Sequence, residues 1–249
     1  ILFILLAIFE PFIVAYPEAG TKWRDITYWE NNPKNAAPAW TNWFTTKDAA
    51  EQEMMKDPEW KVEDKTRMKI IKGTFNYDYH YHVPPQNFIL KTRGKGNITM
   101  TVKMVRPDGK EIDILRKTVK NNNENKISIP LSSDIKFSAV RLGAEYESSE
   151  NRAEVNMDAV NPYHILFAKA EEGMMVSPEA LKGNYKIKID AVAMGSDAYL
   201  KKPEIVVMGN VYGILGTDNS RHDIWSGVVS GIKWALLIGI LVSFVSVIF

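Results

Sequence analysis

The hydrophobic positions of this chain form an apolar run at each end and a mixed pattern between them. Ile1 to Phe9 contains no polar side chain, and only Ser243 and Ser246 interrupt the run from Trp234 to Phe249. A helix that spans a bilayer needs about 20 apolar residues, so each run is shorter than a full span. We therefore expect a fragment whose two membrane helices continue beyond both ends, with the domain between them intact.

Other interpretations of the two runs stay open. The first run could be the apolar part of a signal peptide, although no basic segment precedes it. Glu10 and Pro11 interrupt it, as at the exit of a membrane helix. Either run could instead be a buried core helix.

The central region alternates short β-type runs with clusters of turn residues. The runs are rich in Val, Ile, Thr, Tyr and Phe, and their spacing is typical of an all-β domain. The candidate strands are 68–76, 88–92, 98–105, 111–119, 126–130, 138–143, 163–168, 185–193 and 204–211. The predicted fold class is therefore mainly β, with a β-sandwich or jelly-roll-like extracellular domain between two truncated transmembrane helices.

Three further segments predict local structure. Residues 45–56 predict a short helix, because a Thr cap, early acidic residues and helix formers precede Asp57 and Pro58. Pro107 and Gly109 predict a tight hairpin turn between the flanking strands. Residues 121–125 are polar and predict a loop.

Composition excludes several classes of function. The net charge of +1 gives no electrostatic reason to expect a nucleic-acid partner. The absence of cysteine removes disulfides, thiolate metal sites and cysteine nucleophiles. The sequence also lacks a nucleophile-elbow motif and a phosphate-binding loop. We expect neither catalysis nor a cofactor.

One histidine pair has the spacing of a possible metal site. On a strand, His80 and His82 would share a face with Asp78, as some metal ligands do. An aromatic-rich strand with polar residues towards solvent explains the same residues. His164 lies in another candidate strand, and the sequence does not show whether it comes near.

Tryptophan and tyrosine are concentrated in the N-terminal quarter of the chain. This cluster comprises Trp23, Tyr28, Trp29, Trp40, Trp43 and Trp60. Such side chains favour the membrane–water interface, protein cores and ligand platforms, so all three uses stay open.

Residues 215–226 read Leu-Gly-Thr-Asp-Asn-Ser-Arg-His-Asp-Ile-Trp-Ser, and an apolar run follows them. This segment resembles the signature of dipeptide/oligopeptide ABC-transporter permease subunits, Leu-Gly-Thr-Asp-x-x-Gly-Arg-Asp-x-x-Ser. Residues 9–17 look like the exit of that family's first membrane helix, and residues 32–40 are similar to the Pro-rich stretch that follows. The resemblance covers about sixty residues at the two ends, and the central domain looks like an insertion in the outer loop.

This resemblance implies a permease signature loop that shapes the outer entry of the second helix. Its residues here would be Leu215, Gly216, Thr217, Asp218, Asp223, Ser226 and Gly231. The sequence departs from the family at Arg221-His222, where Gly-Arg is usual, and at Gly227 and Lys233, where Arg is usual. The chain would then divide into a first helix end (1–16), an aromatic-rich membrane-proximal segment with a short helix (17–62), the β-sandwich (63–212), the signature loop (213–232) and a second helix start (233–249).

The resemblance further implies an ABC importer for peptides or similar solutes. Its partners would be a second permease subunit, cytoplasmic ATPase subunits reached through regions absent here, an extracellular solute-binding protein and the lipid bilayer. The protein would be a multi-pass protein of the cell membrane, and its outer domain would dock the binding protein or cap the outer mouth. The alternative is a membrane-tethered extracellular β-sandwich that itself binds carbohydrate or peptide.

Overall fold

The computed structural model describes residues 2–148 and 161–249, which belong to two compact units. The helical unit comprises Ile1–Thr45 and Asn210–Phe249, and the β unit comprises Thr46–Gly209. Each is described by itself below. The five-segment division expected from the sequence stays a prediction.

The described part of the β unit contains one antiparallel sheet, so the prediction of a mainly β central domain is confirmed. Its order is β1-β7-β4-β6-β3-β2, and β5 pairs with β4. The strands are β1 (Glu53–Met55), β2 (Glu59–Lys65), β3 (Met68–Tyr79), β4 (Asn87–Val105), β5 (Glu111–Pro130), β6 (Gly183–Leu200) and β7 (Glu204–Met208).

Two long strands curl this sheet. β4 pairs with β5 along one edge, while its other edge pairs first with β7 and then with β6. The register shifts between Gly94 and Gly96, and such bulges bend a strand and increase its twist. Residues 121–125, predicted as a loop, instead continue β5 opposite this bend, with Asn125 facing Gly94 and Asn121 facing Gly96.

The hairpin predicted at Arg106–Gly109 is confirmed. The Gly109 amide donates to the Arg106 carbonyl at 3.0 Å, and Gly109 has a φ of 83°. This turn joins β4 to β5.

Two predicted strands are helices. Residues 138–143 lie in α3 (Ser132–Tyr146), and residues 163–168 overlap α4 (Pro162–Leu166). In α3, Ile135, Ala139 and Leu142 are buried, which is the i, i+4, i+7 spacing of a helix that packs one face on a core. Short apolar runs do not separate the two structures by composition alone.

The helix predicted over residues 45–56 is absent. β1 pairs Met55 with Ile205 of β7, and Ala49 forms a parallel bridge to Val83. Ala50 is fully buried. Tertiary pairing therefore overrides the local helix propensity, and Asp57 ends the segment with a φ of 57°.

The core contains buried tyrosines whose hydroxyl groups differ in their bonding. Tyr163 donates to the Asn87 side-chain oxygen at 2.7 Å, whereas the Tyr79 hydroxyl has no hydrogen-bond partner among the described residues. Burial raises the pKa of both phenols. Both stay neutral, so a buried hydroxyl without a partner adds a desolvation cost and no bond.

We expect Tyr79→Phe to leave the free energy of unfolding of the β unit unchanged or to raise it by up to about 1 kcal/mol. The matched variant Tyr163→Phe should lower it by about 1 kcal/mol, because it removes a formed hydrogen bond. Denaturant unfolding followed by circular dichroism compares the two. Equal losses in both variants would contradict the prediction.

The helical unit contains α1 (Leu2–Ile13), α2 (Ala19–Lys22), a 3-10 helix (Ala39–Phe44) and α5 (Ile224–Ile248). Among the described residues, α5 is the one helix long and apolar enough to cross a membrane. No residue of its apolar window is buried in the protein. α1 is apolar but has only 12 residues, so α5 alone of the two predicted membrane helices is long enough to span a bilayer among the described residues, and a multi-pass protein is not supported.

α1 packs against α5 through polar contacts as well as apolar ones. The Trp225 indole donates to the Ile13 carbonyl at 3.0 Å. Lys233 forms an ion pair with Glu10, whose side chain is buried. These contacts hold the two helices together at the polar end of α5.

Candidate functional site

The predicted signature loop folds as a tight turn against residues 33–36. The Thr217 hydroxyl donates to the Pro33 carbonyl at 2.9 Å and accepts from the Ala36 amide at 3.0 Å. Gly216 has a φ of 74° and lies against the backbone of Ala36. Leu215 is exposed beside it. Thr217 also forms a β-bridge to Asp223, which closes the loop.

The end of the loop caps α5. The Asp223 carboxylate accepts from the Trp225 amide at 3.2 Å and from the Ser226 hydroxyl at 2.5 Å. An N-cap residue of this kind satisfies backbone donors that have no partner within the helix. Burial raises the Asp223 pKa, although both hydrogen bonds oppose the rise. Gly231 lies further along α5, with open space around its Cα.

A second carboxylate holds the interior of the loop. Asp218 accepts from the His222 amide at 2.8 Å and pairs with the His222 ring at 2.7 Å. Burial would raise the Asp218 pKa, but the His222 contacts outweigh it and the pKa is lowered. The His222 ring stacks on Trp23, with the two centroids 4.1 Å apart.

Arg221, one of the departures from the family pattern, keeps a backbone conformation that favours glycine. Its φ is 69°, and its guanidinium donates to the Glu30 carbonyl at 2.8 Å. Asn32 donates to the Arg221 carbonyl at 3.0 Å and accepts from the Tyr16 hydroxyl at 2.7 Å. These hydrogen bonds connect the loop to residues 16–32 of the helical unit.

The aromatic residues singled out from the sequence do not form one cluster. Trp29 is buried in the helical unit and contacts the half-buried Tyr28 and the more exposed Trp23 edge-on. Trp40 and Trp43 lie in the 3-10 helix and are exposed. Trp60 lies separately, in β2 of the β unit.

The histidine pair does not lie on a strand. β3 ends at Tyr79, so the same-face spacing predicted for His80 and His82 does not apply. His82 pairs with Asp48, and His80 stacks against Tyr81 with the centroids 4.1 Å apart. His164 is half-buried in α4, where burial lowers its pKa. Within residues 2–148 and 161–249, no three His, Asp or Glu side chains gather as a metal site would require.

A groove in the β unit is the strongest candidate site. It runs between α3 and the outward side chains of β4, β5 and β6, as two adjoining cavities of about 390 and 610 Å³. Lys103, Asp113 and Ser138 line both cavities. The Ser138 hydroxyl donates to the Asp113 carbonyl at 2.6 Å, which ties α3 to the edge strand.

Side chains alternate between the two faces of β4, and those on the outer face form the polar floor of this groove. In β4, Met100 and Val102 are buried, whereas Thr101 and Lys103 point outward. The neighbouring strand β6 contributes Asp190 opposite Thr101. Four basic and four acidic side chains line the two cavities: Lys103, Lys110, Arg116 and Arg141, and Glu111, Asp113, Glu145 and Asp190.

The groove also has an aromatic wall. Phe137 of α3 is 79% exposed and lines the larger cavity with Arg116 and Asp190. Arg141, one turn further along α3, lines the other cavity. Neither residue was predicted from the sequence: Phe137 lies just before the predicted strand 138–143, and Arg141 lies within it.

Comparisons with known proteins give structural likenesses only. No family model matches the chain, and neither does any curated protein. A structure of TmCBM61 in complex with β-1,4-galactotriose shares 8% identity and a TM-score of 0.23, covering 69% of this chain and 92% of that one. The xylan-binding domain from CBM 22 shares 8% identity and a TM-score of 0.26, covering 65% and 88%. A structure of infectious bursal disease virus, Gt strain, shares 8% identity and a TM-score of 0.26, covering 65% and 33%.

These findings contradict the resemblance to an ABC permease, and we correct that prediction. Neither a permease family model nor a curated permease matches the chain. The predicted second permease subunit, ATPase subunits and solute-binding protein are withdrawn with it. The local geometry gives the physical reason: Gly216 turns the chain, and Asp223 and Ser226 cap a helix. A turn and a helix cap explain why these residue types occur at this spacing. A short motif of this kind therefore does not identify a family.

Proposed function

We propose that this protein is a membrane-anchored binding module whose β unit binds a carbohydrate in the groove beside α3. α5 would anchor the chain, and the β unit would lie on the outer side of the membrane. Binding would leave the sugar chemically unchanged. The observation that supports this proposal best is the exposed Phe137 ring beside a polar groove with equal numbers of acidic and basic side chains.

The charge balance favours a neutral polar ligand. The Lys103 Nζ atom lies 3.9 Å from a Glu111 carboxylate oxygen and 3.8 Å from an Asp113 carboxylate oxygen. The floor of the groove therefore carries charges of both signs side by side rather than charges of one sign. Such a surface does not concentrate anions or cations. Its carboxylates accept hydrogen bonds and its cations donate them, which suits a ligand covered with hydroxyl groups.

The aromatic wall adds an apolar contact. A sugar ring presents a C–H face that packs on an exposed aromatic ring, while its hydroxyl groups reach polar neighbours. Phe137 offers such a face, and Arg141 has no charged or hydrogen-bonding partner among the described residues. A peptide is the second candidate, because paired charges of both signs also suit its backbone and termini.

Binding is first measured with the full chain in detergent micelles, on arrays of neutral glycans and peptides. For a glycan that binds, we expect Phe137→Ala and Arg141→Ala each to weaken the affinity about tenfold or more, which corresponds to about 1.4 kcal/mol. The loss comes from the ring contact in one variant and from a charged hydrogen bond in the other.

Two variants serve as controls. Arg67→Ala removes an exposed arginine from the turn between β2 and β3, outside the groove, and should leave the affinity unchanged. Trp43→Ala tests the other aromatic surface. Sugar binding that survives both groove variants but is lost in Trp43→Ala would contradict the assignment of the site to the groove.

A further inference from the structure

The 3-10 helix Ala39–Phe44 exposes three large aromatic side chains within six residues. Trp43 and Phe44 are each 82% exposed, and Trp40 is 44% exposed. None of the six residues is buried. An aromatic ring buries about 150–250 Å² when it is covered, so leaving Trp43 and Phe44 largely in water forgoes favourable apolar burial. Contiguous exposure of this kind marks an interaction surface.

The geometry of these rings does not suit a sugar platform. Trp40 and Phe44 meet at 83° with centroids 6.2 Å apart, so they present edges and faces in different directions. The Trp40 indole already donates to the Ile214 carbonyl at 2.9 Å. Its polar edge is therefore used within the protein, and the apolar part of the ring remains for a partner.

A chain of contacts places this aromatic turn close to the start of α5. Asp223, the N-cap of α5, bridges Thr217, and Thr217 exchanges hydrogen bonds with Ala36. From Ala36, the four residues to Trp40 span at most about 14 Å. All of these residues belong to the helical unit. The aromatic turn is therefore tied to the N-terminal end of α5, about 15 Å along the helix from Trp234, where the apolar run begins.

We propose that Trp40, Trp43 and Phe44 insert into the interfacial layer of a lipid bilayer around the entry of α5. Tryptophan rings collect in this layer, where one part of the ring is apolar and another is hydrated, and phenylalanine packs its apolar ring beside them. The polar interface adds about 5–7 Å on each side of the hydrocarbon core, enough to hold one layer of rings. The inserted rings fix the depth of the helical unit in the membrane. This inference rests on the proposed anchoring by α5 and does not depend on the ligand of the β unit.

The chain contains no cysteine, so a single introduced cysteine can carry one environment-sensitive fluorophore. We place it at Phe44→Cys in the full chain and reconstitute the protein into phosphatidylcholine vesicles. Phe244→Cys, on an exposed apolar position of α5, provides the lipid-embedded reference. Val62→Cys, on an exposed position of β2, provides the aqueous reference.

The expected result is that the probe at position 44 shifts to the blue on reconstitution and loses most of its quenching by aqueous iodide. Its accessibility should lie between those of the references at positions 244 and 62. A probe at position 44 that stays as accessible to iodide as the one at position 62 would overturn the proposal. Loss of sugar binding in the groove variants leaves this measurement unchanged, so the two proposals fail separately.

Discussion

Replacing Arg106 with Ala is expected to lower the free energy of unfolding of the β unit by about 3–5 kcal/mol. The Arg106 side chain is fully buried and pairs with the Asp108 carboxylate at 2.8 Å. Its guanidinium also donates to the carbonyls of Leu166 at 2.7 Å and Ala168 at 2.6 Å. Alanine would leave a carboxylate and these carbonyls without their donor, and buried polar groups without partners are costly.

The geometry of the guanidinium should matter as well as its charge. Arg106→Lys keeps the charge but cannot reach Asp108 and the two carbonyls at once, so we expect an intermediate loss. The exposed Arg67→Ala is the matched control and should change little. Denaturant unfolding of the full chain in micelles, followed by circular dichroism, measures all three. A loss below about 1 kcal/mol in Arg106→Ala would contradict the assigned role.

The Arg106–Asp108 pair also predicts an acid dependence. Burial would raise the Asp108 pKa, but the Arg106 hydrogen bonds outweigh it and hold the pKa below its ordinary value of 3.8. A carboxylate with a lowered folded pKa adds stability above its unfolded pKa and loses that stability as the pH falls through the folded pKa. When the pH is lowered from neutral to below 3.8, the free energy of unfolding of Arg106→Ala should therefore fall by less than that of the natural protein.

The strand content could be predicted because period-2 alternation is a local signal. The predicted strands 68–76 and 185–193 lie within β3 and β6, since buried residues such as Ile187 and Ile189 alternate with outward-facing ones such as Lys186. The polar segment 121–125 has the composition of a loop. It is part of β5 because its two ends, Asn121 and Asn125, pair with β4, and β4 is distant in sequence.

The strand predictions for residues 138–143 and 163–168 were wrong for identifiable reasons. A start signal for α4 was present in the sequence: Asn161 caps the helix by accepting from the Tyr163 amide at 3.0 Å, and Pro162 occupies the first turn. For α3, only the spacing of Ile135, Ala139 and Leu142 distinguishes helix from strand. Missing α3 also meant missing Phe137, so the groove could not have been assembled from the sequence.

The signature-loop residues were given the wrong significance when they were taken to mark a permease. Seven positions singled out from the sequence include the turn residue Gly216, the bridge residue Thr217 and the cap residue Asp223. They are close together because a chain that enters a long helix needs a turn and a cap. The pattern therefore predicts local structure well and does not by itself predict a transporter.

Gly216→Ala is expected to destabilise the helical unit by about 2–5 kcal/mol, because two separate costs add at this position. The φ of 74° is one that side chains with a Cβ rarely adopt. A Cβ there would also lie against the Ala36 carbonyl oxygen, well below the 3.0 Å that real Cβ contacts keep. That oxygen is backbone and accepts from the Thr217 amide, so it cannot move aside cheaply.

Gly213→Ala separates these two costs. Gly213 also has a positive φ, of 51°, but the nearest atom to its added Cβ is 3.9 Å away. It should therefore lose about 1–2 kcal/mol from the backbone alone. Six of the seven tryptophans lie in the helical unit, so intrinsic fluorescence reports its unfolding in micelles. Equal losses in the two variants would mean that the close approach of Gly216 to Ala36 adds nothing. A larger loss in Gly216→Ala would show that this contact holds the turn against residues 33–36, and with it the cap of the helix that we propose enters the membrane.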